Sequence, residues 1–221
     1  MITRAVVVPQ PPLLVPRLSP GPEPELAALR EACLAAVGRL GPRWTAVGAA
    51  GKDQVIGPDA AGSFLGYGVD ERVSLSADGV ARALPLPALI AGWLRERAGA
   101  EAVEVRLVDR ATPPEDCARK GSELTGDLLI LGDGSNRHGP RSPGSEDERA
   151  PAFDEAVAAA LAKADTRALL KVDPGLADEL GAGGRVPWQV LAGVPGEWRA
   201  ELLYSAAPFG VAYHVAVWER G

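Results

Sequence analysis

The chain has 221 residues, of which 47% are apolar and 24% charged, and its formal net charge is -6. This size and apolar content suffice for one large core, so we expect a single globular domain over residues 1–221. The net negative charge argues against the basic face that nucleic-acid binding requires. No stretch of the sequence approaches the roughly 18 consecutive apolar residues of a membrane span. We therefore expect no nucleic-acid and no membrane partner, whereas a homo-oligomer is compatible with this composition.

Cysteine usage predicts the compartment. The chain contains only Cys33 and Cys117, too few for a disulfide framework, and Cys33 lies at an apolar position of a helical pattern. No basic segment followed by a long apolar run opens the chain, as it would in a secretory signal peptide. We expect a cytoplasmic protein in which both thiols are structural.

Strand and helix patterns alternate through the first two thirds of the chain, and strand patterns end it. Strands are predicted over residues 2–8, 44–47, 102–108, 128–131, 201–204 and 211–218, with a further strand region beginning at 188–191. Helices are predicted over residues 25–40, 84–97, 115–124, 165–172 and 174–180, and from residue 151. Residues 52–68 are the least regular early segment. This order favours an α/β fold, a mixed central sheet with helices on both faces.

The most informative stretch surrounds the apolar run at residues 128–131, which is typical of a strand buried on both faces. Directly after it come four polar side chains, Asp133, Ser135, Asn136 and His138. Ligands of open α/β sheets bind at the carboxyl ends of strands, so this position predicts a small-molecule site. The alternative is a loop whose Asp and Asn only cap its own turns.

Two other strand ends carry candidate binding groups. Gln10 stands among prolines after the first strand, where the backbone is rigid, and its amide offers both a donor and an acceptor. Residues 48–52 follow the second strand and offer backbone N–H groups to an anion, with Lys52 adding charge. We therefore place Gln10 and Lys52, with Ser135 and Asn136, among the substrate-binding residues.

Other residues have structural interpretations. His214 lies within the last predicted strand, and we interpret it as an imidazole bonded inside or beside the sheet. Asp53 and Asp59 would form a magnesium site with Asp133 only if all three converged, and scattered solvated acids are the alternative. The polar residues 139–149 are either a lid over the site or a surface excursion.

Four segments in chain order resemble the LigB-type superfamily. They are the proline-flanked residues 7–16, Gly132-Asp133-Gly134-Ser135, Phe153-Asp154, and residues 203–213, which together span nearly the whole chain. That superfamily contains the catalytic subunits of class III extradiol ring-cleavage dioxygenases and the MEMO-like proteins, and this chain is most similar to its small actinobacterial members.

The resemblance implies a non-haem Fe(II) site with two histidines and one carboxylate as ligands, and a further histidine as acid and base. The chain departs from this pattern at each histidine position. Gln10 stands at the first ligand position, Ala49-Ala50-Gly51 at the second, and Asn136 at the acid/base position. Three histidines are required and only His138 and His214 exist. We therefore expect no metal ligands and no cofactor, with Fe(II) only if the family activity is retained.

Together these features predict an extradiol dioxygenase-like protein with a pocket for a small polar or aromatic metabolite. Gln10, Ser135 and Asn136 would orient the ligand, while His138 and Asp133 would transfer protons without a metal. Two alternatives stay open. One is a non-catalytic binding or scaffold protein of the MEMO-like type, and the other is an active ring-cleavage dioxygenase with atypical ligands.

Overall fold

The computed structural model describes residues 2–21 and 23–221. The strands of this part of the chain are β1 (Arg4–Val8), β2 (Arg43–Ala50), β3 (Gln54–Ile56), β4 (Ala60–Ser63), β5 (Arg72–Ser74), β6 (Val80–Ala81), β7 (Ala102–Asp109), β8 (Asp127–Leu131), β9 (Trp198–Ala206) and β10 (Tyr213–Arg220). Its α-helices are α1 (Pro24–Val37), α2 (Leu86–Ala98), α3 (Pro114–Ser122), α4 (Ala150–Ala162), α5 (Thr166–Leu170), α6 (Pro174–Glu179) and α7 (Arg185–Ala192).

The main sheet has seven strands in the order β3-β7-β2-β8-β1-β10-β9. Strands β1, β8, β2 and β7 are parallel to one another, whereas β10 runs antiparallel to β1 and β9 antiparallel to β10. The carboxyl ends of the four parallel strands and the amino end of β10 therefore lie along one edge, called here the carboxyl edge. The predicted α/β fold with a mixed central sheet is confirmed.

Helices cover both faces of this sheet. Successive side chains of a strand point to opposite faces, so Val6 and Val8 of β1 enter the core beneath α1 and α2, while Val7 enters the core beneath α3 to α7. The side chains of β8 alternate between the two cores in the same way, and residues 128–131 are fully buried. This double burial explains the unbroken apolar run in its sequence. No helix in the described ranges is long and apolar enough to cross a bilayer.

The prediction of a strand beginning at residues 188–191 is wrong, because these residues belong to helix α7. All eight residues of α7 are buried, so the helix has no polar face that would reveal its 3.6-residue period. A short apolar run of this kind is ambiguous between strand and helix. The irregular residues 52–68 contain β3 and β4, and β4 is the middle strand of a small second sheet with β5 and β6.

Helix α7 packs closely against α3 because glycines stand at the contact. A Cβ atom at Gly121 of α3 would overlap the carbonyl group of Val190 in α7. A Cβ atom at Gly193, directly after α7, would overlap the backbone of Ala118.

Both cysteines are buried and unpaired, and burial raises the pKa of the Cys117 thiol to about 11. Neither thiol is therefore placed to act as a nucleophile.

The close contact of α3 and α7 gives a stability prediction. Gly121→Ala should lower the free energy of unfolding by about 2 kcal/mol, because the added methyl group forces two packed helices apart. Gly66→Ala is the matched control, since a Cβ atom there meets nothing within 4 Å, and it should change stability by less than about 0.5 kcal/mol. Urea denaturation followed by circular dichroism measures both, and equal midpoints for the two variants would contradict this packing.

Candidate functional site

The segment that follows β8 is fixed at the carboxyl edge by backbone hydrogen bonds. The amide of Gly134 donates to the carbonyl of Ala212 at 2.8 Å, and the amide of Ala212 donates to the carbonyl of Ser135 at 2.8 Å. These bonds hold residues 134–135 against the segment that enters β10. The start of β10 therefore lies beside the polar residues that follow β8.

Helix α4 brings a buried carboxylate to this point. Asp154 is 4% exposed, and the amide of Ser135 donates to both of its oxygens, at 3.2 and 3.1 Å. Gly134 makes the approach possible, because a Cβ atom there would overlap Asp154 Oδ1. A buried charge needs partners of this kind to offset its loss of hydration.

Both histidines of the chain contact this carboxylate. His138 Nε2 lies 2.6 Å from Asp154 Oδ2, and His214 Nε2 lies 3.3 Å from Oδ1. A carboxylate only accepts hydrogen bonds, so we assign a hydrogen to Nε2 of each ring. Asp154 thus holds two imidazoles that come from separate parts of the chain.

The other ring nitrogens differ in their surroundings. His214 Nδ1 lies 3.0 Å from the hydroxyl oxygen of Ser205, and its side chain is only 2% exposed. Among the residues that the structure describes, His138 Nδ1 has no hydrogen-bond partner, and the side chain is 16% exposed. His138 is therefore the imidazole that can exchange a proton with a bound molecule.

The structure separates the two predicted catalytic residues. Asp133 accepts a hydrogen bond from the backbone amide of Gln10 at 2.8 Å, and the carboxylate that contacts His138 is Asp154. Burial raises the pKa of Asp133 to about 6, although the hydrogen bond from Gln10 opposes this shift. Burial, and then the charge of Asp133, raise the pKa of Tyr213, which belongs to the core beneath α1 and α2.

The predicted binding residues occupy different environments. The buried hydroxyl of Ser135 donates to the carbonyl of Leu180 at 2.8 Å and accepts from the amide of Arg137, so it has a structural role. Gln10 Oε1 and Asn136 Oδ1 are buried, and neither has a hydrogen-bond partner within the described part of the chain. Lys52 is exposed directly after β2. The amide oxygens of Gln10 and Asn136 are thus unpartnered within the described residues, whereas the hydroxyl of Ser135 is fully bonded.

Asn136 is enclosed by residues 139–149, which were predicted to be either a lid over the site or a surface loop. Its side chain lies where Cβ atoms of Gly144 and Gly181 would be, so both glycines are needed for its position. The amide of Gly144 donates to the carbonyl of Asn136 at 2.9 Å, and the amide of Asp147 donates to that of Arg137 at 3.1 Å. Residues 139–149 therefore fold back on the segment that carries His138.

The residues do not fit a metal site. Asp53 binds Lys120 and Asp59 binds Arg82, whereas Asp133 binds the amide of Gln10. His138, His214 and Asp154 supply two imidazoles and a carboxylate, but Nε2 of each imidazole is directed at an oxygen of Asp154. Within residues 2–21 and 23–221, no group of three or more His, Cys, Asp or Glu residues is arranged to hold a metal ion.

A groove of about 730 Å³ lies on a different surface, between α4, α5 and α6. Most of its lining is apolar and includes Ala152, Phe153, Val157, Val172 and Leu176. Phe153 and Val157 also belong to the core beneath α3 to α7. This groove does not include the polar residues predicted from the sequence.

Asp154 was missed as a functional residue, although the sequence carries a signal for it. In α4 it lies between Phe153 and Val157 at spacings that place all three on the buried side of the helix. An acidic residue within an apolar helical stripe needs buried partners. His214 was assigned a structural role because its contacts with Asp154 and Ser205 depend on the tertiary fold.

The raised pKa of Asp133 gives a pH-dependent prediction. Its pKa of about 6 exceeds that of an unfolded carboxyl group, so the folded protein binds this proton more tightly. The contribution of Asp133 to the free energy of unfolding therefore falls as the pH rises from about 4 to about 6. Asp133→Asn keeps an acceptor for the Gln10 amide and removes the charge. It should be about 2 to 3 kcal/mol more stable than the wild type at pH 7.

This advantage of Asp133→Asn should vanish below about pH 3, where Asp133 is protonated in both the folded and unfolded states. Chemical denaturation at a series of pH values measures it. Asp178→Asn, at an exposed position, is the control and should differ little from the wild type across the series. A constant stability difference between Asp133→Asn and the wild type would contradict the burial of this charge.

The comparisons with known proteins establish the fold and leave the family open. No protein-family model matches the chain, and no curated protein matches it. Among solved structures it is similar to the "uncharacterized protein JW3007 from Escherichia coli K12", with a TM-score of 0.62 and 13% sequence identity. The match covers 99% of this chain and 100% of that chain. At this identity the likeness shows a shared fold over the full length.

Proposed function

We propose that the chain is a class III extradiol dioxygenase-like protein that transfers protons on a small polar or aromatic metabolite at its carboxyl edge. The meeting of the four resembling segments supports this proposal. The amide of Gln10 binds Asp133, the amide of Ser135 binds Asp154, and the amide of Gly134 binds the carbonyl of Ala212. Segments that lie far apart in the sequence thus surround one point, as expected when a family motif describes a site.

The contact between His138 and Asp154 carries the proposal. The separation of 2.6 Å orients the imidazole with its Nε2 hydrogen toward the carboxylate and leaves Nδ1 as a free base. Asp154 also stabilises the imidazolium ion that forms when Nδ1 accepts a proton. The oriented imidazole can therefore accept a proton at Nδ1 and return it.

The surrounding groups indicate what kind of molecule would bind. The buried amide oxygens of Gln10 and Asn136 have no hydrogen-bond partner in the described part of the chain, and hydroxyl groups of a bound molecule would satisfy them. Lys52, at the end of the neighbouring strand β2, would attract an anionic group. A hydroxylated ring or a keto acid fits these groups, and removal of a proton next to its carbonyl is the reaction that a lone base supports.

Exchange of substrate protons in deuterated water tests the proposal. We expect nuclear magnetic resonance to show catalysed exchange at the carbon next to the carbonyl in members of a panel of small keto acids and hydroxylated aromatic compounds. His138→Gln should slow this exchange by about 100-fold or more, because it removes the base. Glu155→Gln, at the exposed position after Asp154, is the matched control and should exchange at the wild-type rate.

The same panel of compounds separates the alternatives when it is tested with three preparations of the protein. These are the protein as purified, the protein after treatment with a metal chelator, and the protein after addition of Fe(II). Exchange that persists after chelation and depends on His138 supports the proposal. Oxygen uptake with ring cleavage that requires Fe(II) would replace it with the ring-cleavage alternative. Absence of both reactions, together with unchanged histidine resonances on addition of every compound, would leave a non-catalytic binding or scaffold role.

A further inference from the structure

We infer that Ser205, His214 and Asp154 form a second reactive site, in which Ser205 is a nucleophile toward small carboxylic esters. The observation that carries this inference is a continuous hydrogen-bonded series. Ser205 Oγ lies 3.0 Å from His214 Nδ1, and His214 Nε2 lies 3.3 Å from Asp154 Oδ1. A hydroxyl group, a base and a carboxylate that orients the base are the parts of an activated serine.

The sheet positions the first two members. Ser205 of β9 and His214 of β10 are directly opposite each other in the antiparallel register, so their side chains point to the same face. Paired strands hold this geometry more firmly than a loop does. Ser205 is exposed, whereas His214 and Asp154 are buried. The hydroxyl group is thus open to solutes while the base behind it is shielded from water.

The tautomer assigned to His214 is the one that the reaction needs. Its Nε2 hydrogen points to Asp154, so the lone pair of Nδ1 faces the serine hydroxyl. Chymotrypsin-type triads use the two ring nitrogens in the opposite order. Either order provides a base directed at the hydroxyl group and a carboxylate that stabilises the imidazolium ion. The imidazole can therefore act as the base with either of its nitrogens facing the serine.

The location of β9 supplies donors for a developing oxyanion. Strand β9 is the last strand of the main sheet, and β10 is its only partner strand among the described residues. Backbone N–H groups that point away from β10 therefore have no partner strand. Unpaired backbone donors beside a nucleophile are the usual means of stabilising the negative charge of a tetrahedral intermediate.

The reaction balances without an oxidant or a cofactor. Ser205 Oγ forms a bond to the ester carbonyl carbon, and His214 Nδ1 accepts the hydroxyl proton. The bond from this carbon to the alkoxy oxygen breaks, and His214 returns the proton to the departing alcohol. Water then attacks the acyl group, gives a proton to Nδ1, and displaces Ser205 Oγ, which regains that proton. The products are a carboxylic acid and an alcohol.

A fluorophosphonate probe tests the nucleophile, because attack by a serine oxygen forms an oxygen–phosphorus bond and releases fluoride. We expect mass spectrometry to show one adduct per chain, located on Ser205. Ser205→Ala should give no adduct, whereas Ser122→Ala should be labelled like the wild type, since Ser122 is exposed but its hydroxyl contacts only the carbonyl of Arg119. With 4-nitrophenyl acetate, the wild type should release an initial burst of about one equivalent of nitrophenol.

Activation by His214 is tested without altering His214, whose substitution would disturb the core. In Ser205→Cys the imidazole should favour the thiolate, so iodoacetamide should alkylate it about 10-fold faster near pH 6 than it alkylates Ser122→Cys. Absence of an adduct on Ser205, or equal alkylation rates for the two cysteine variants, would overturn the inference. These readouts do not depend on proton exchange at His138, so the two proposals fail separately.

Discussion

The buried carboxylate of Asp154 is the interaction on which the rest of the carboxyl edge depends. It accepts hydrogen bonds from the amide of Ser135, from His138 and from His214, and so joins the segment after β8, helix α4 and strand β10. Removing one partner of a buried charge typically costs about 3 to 5 kcal/mol, so these three elements hold one another in place. The glycine at position 134 is part of the same constraint, because only a residue without a side chain leaves room for the carboxylate.

The two histidines share this carboxylate at Nε2 but differ in the surroundings of their second ring nitrogen, Nδ1. Within the described part of the chain, Nδ1 of His138 has no hydrogen-bond partner and its side chain reaches the surface, whereas Nδ1 of His214 faces the hydroxyl of Ser205. The first arrangement supports proton transfer on a bound molecule, and the second supports a nucleophile on the exposed edge strand. Asp154 contacts Nε2 of both rings and would stabilise a positive charge on either one. The two proposed chemistries therefore share one carboxylate.

Much of the fold was readable from local patterns. The valine-rich first strand, the apolar run of β8 and the proline-started helices α2 and α4 were predicted close to their observed bounds, because each has a period or a stop signal in its own residues. Helix α7 was not, since complete burial removes the polar face that distinguishes a helix from a strand. The small second sheet was also missed, because its strands have only two to four residues, too few for an alternating pattern.

The sequence by itself determined the α/β class, the polar cluster after β8, the position of Gln10 among prolines, and the presence of only two histidines. Only the tertiary structure decided which carboxylate serves His138. Asp133 is five residues away and Asp154 sixteen, yet the nearer residue binds the amide of Gln10 and the farther one binds the imidazole. The same holds for His214, which is sixty residues from Asp154. Hydrogen bonds between buried side chains depend on which face of each element points inward and on how the elements pack, and neither is recorded in the spacing of residues along the chain.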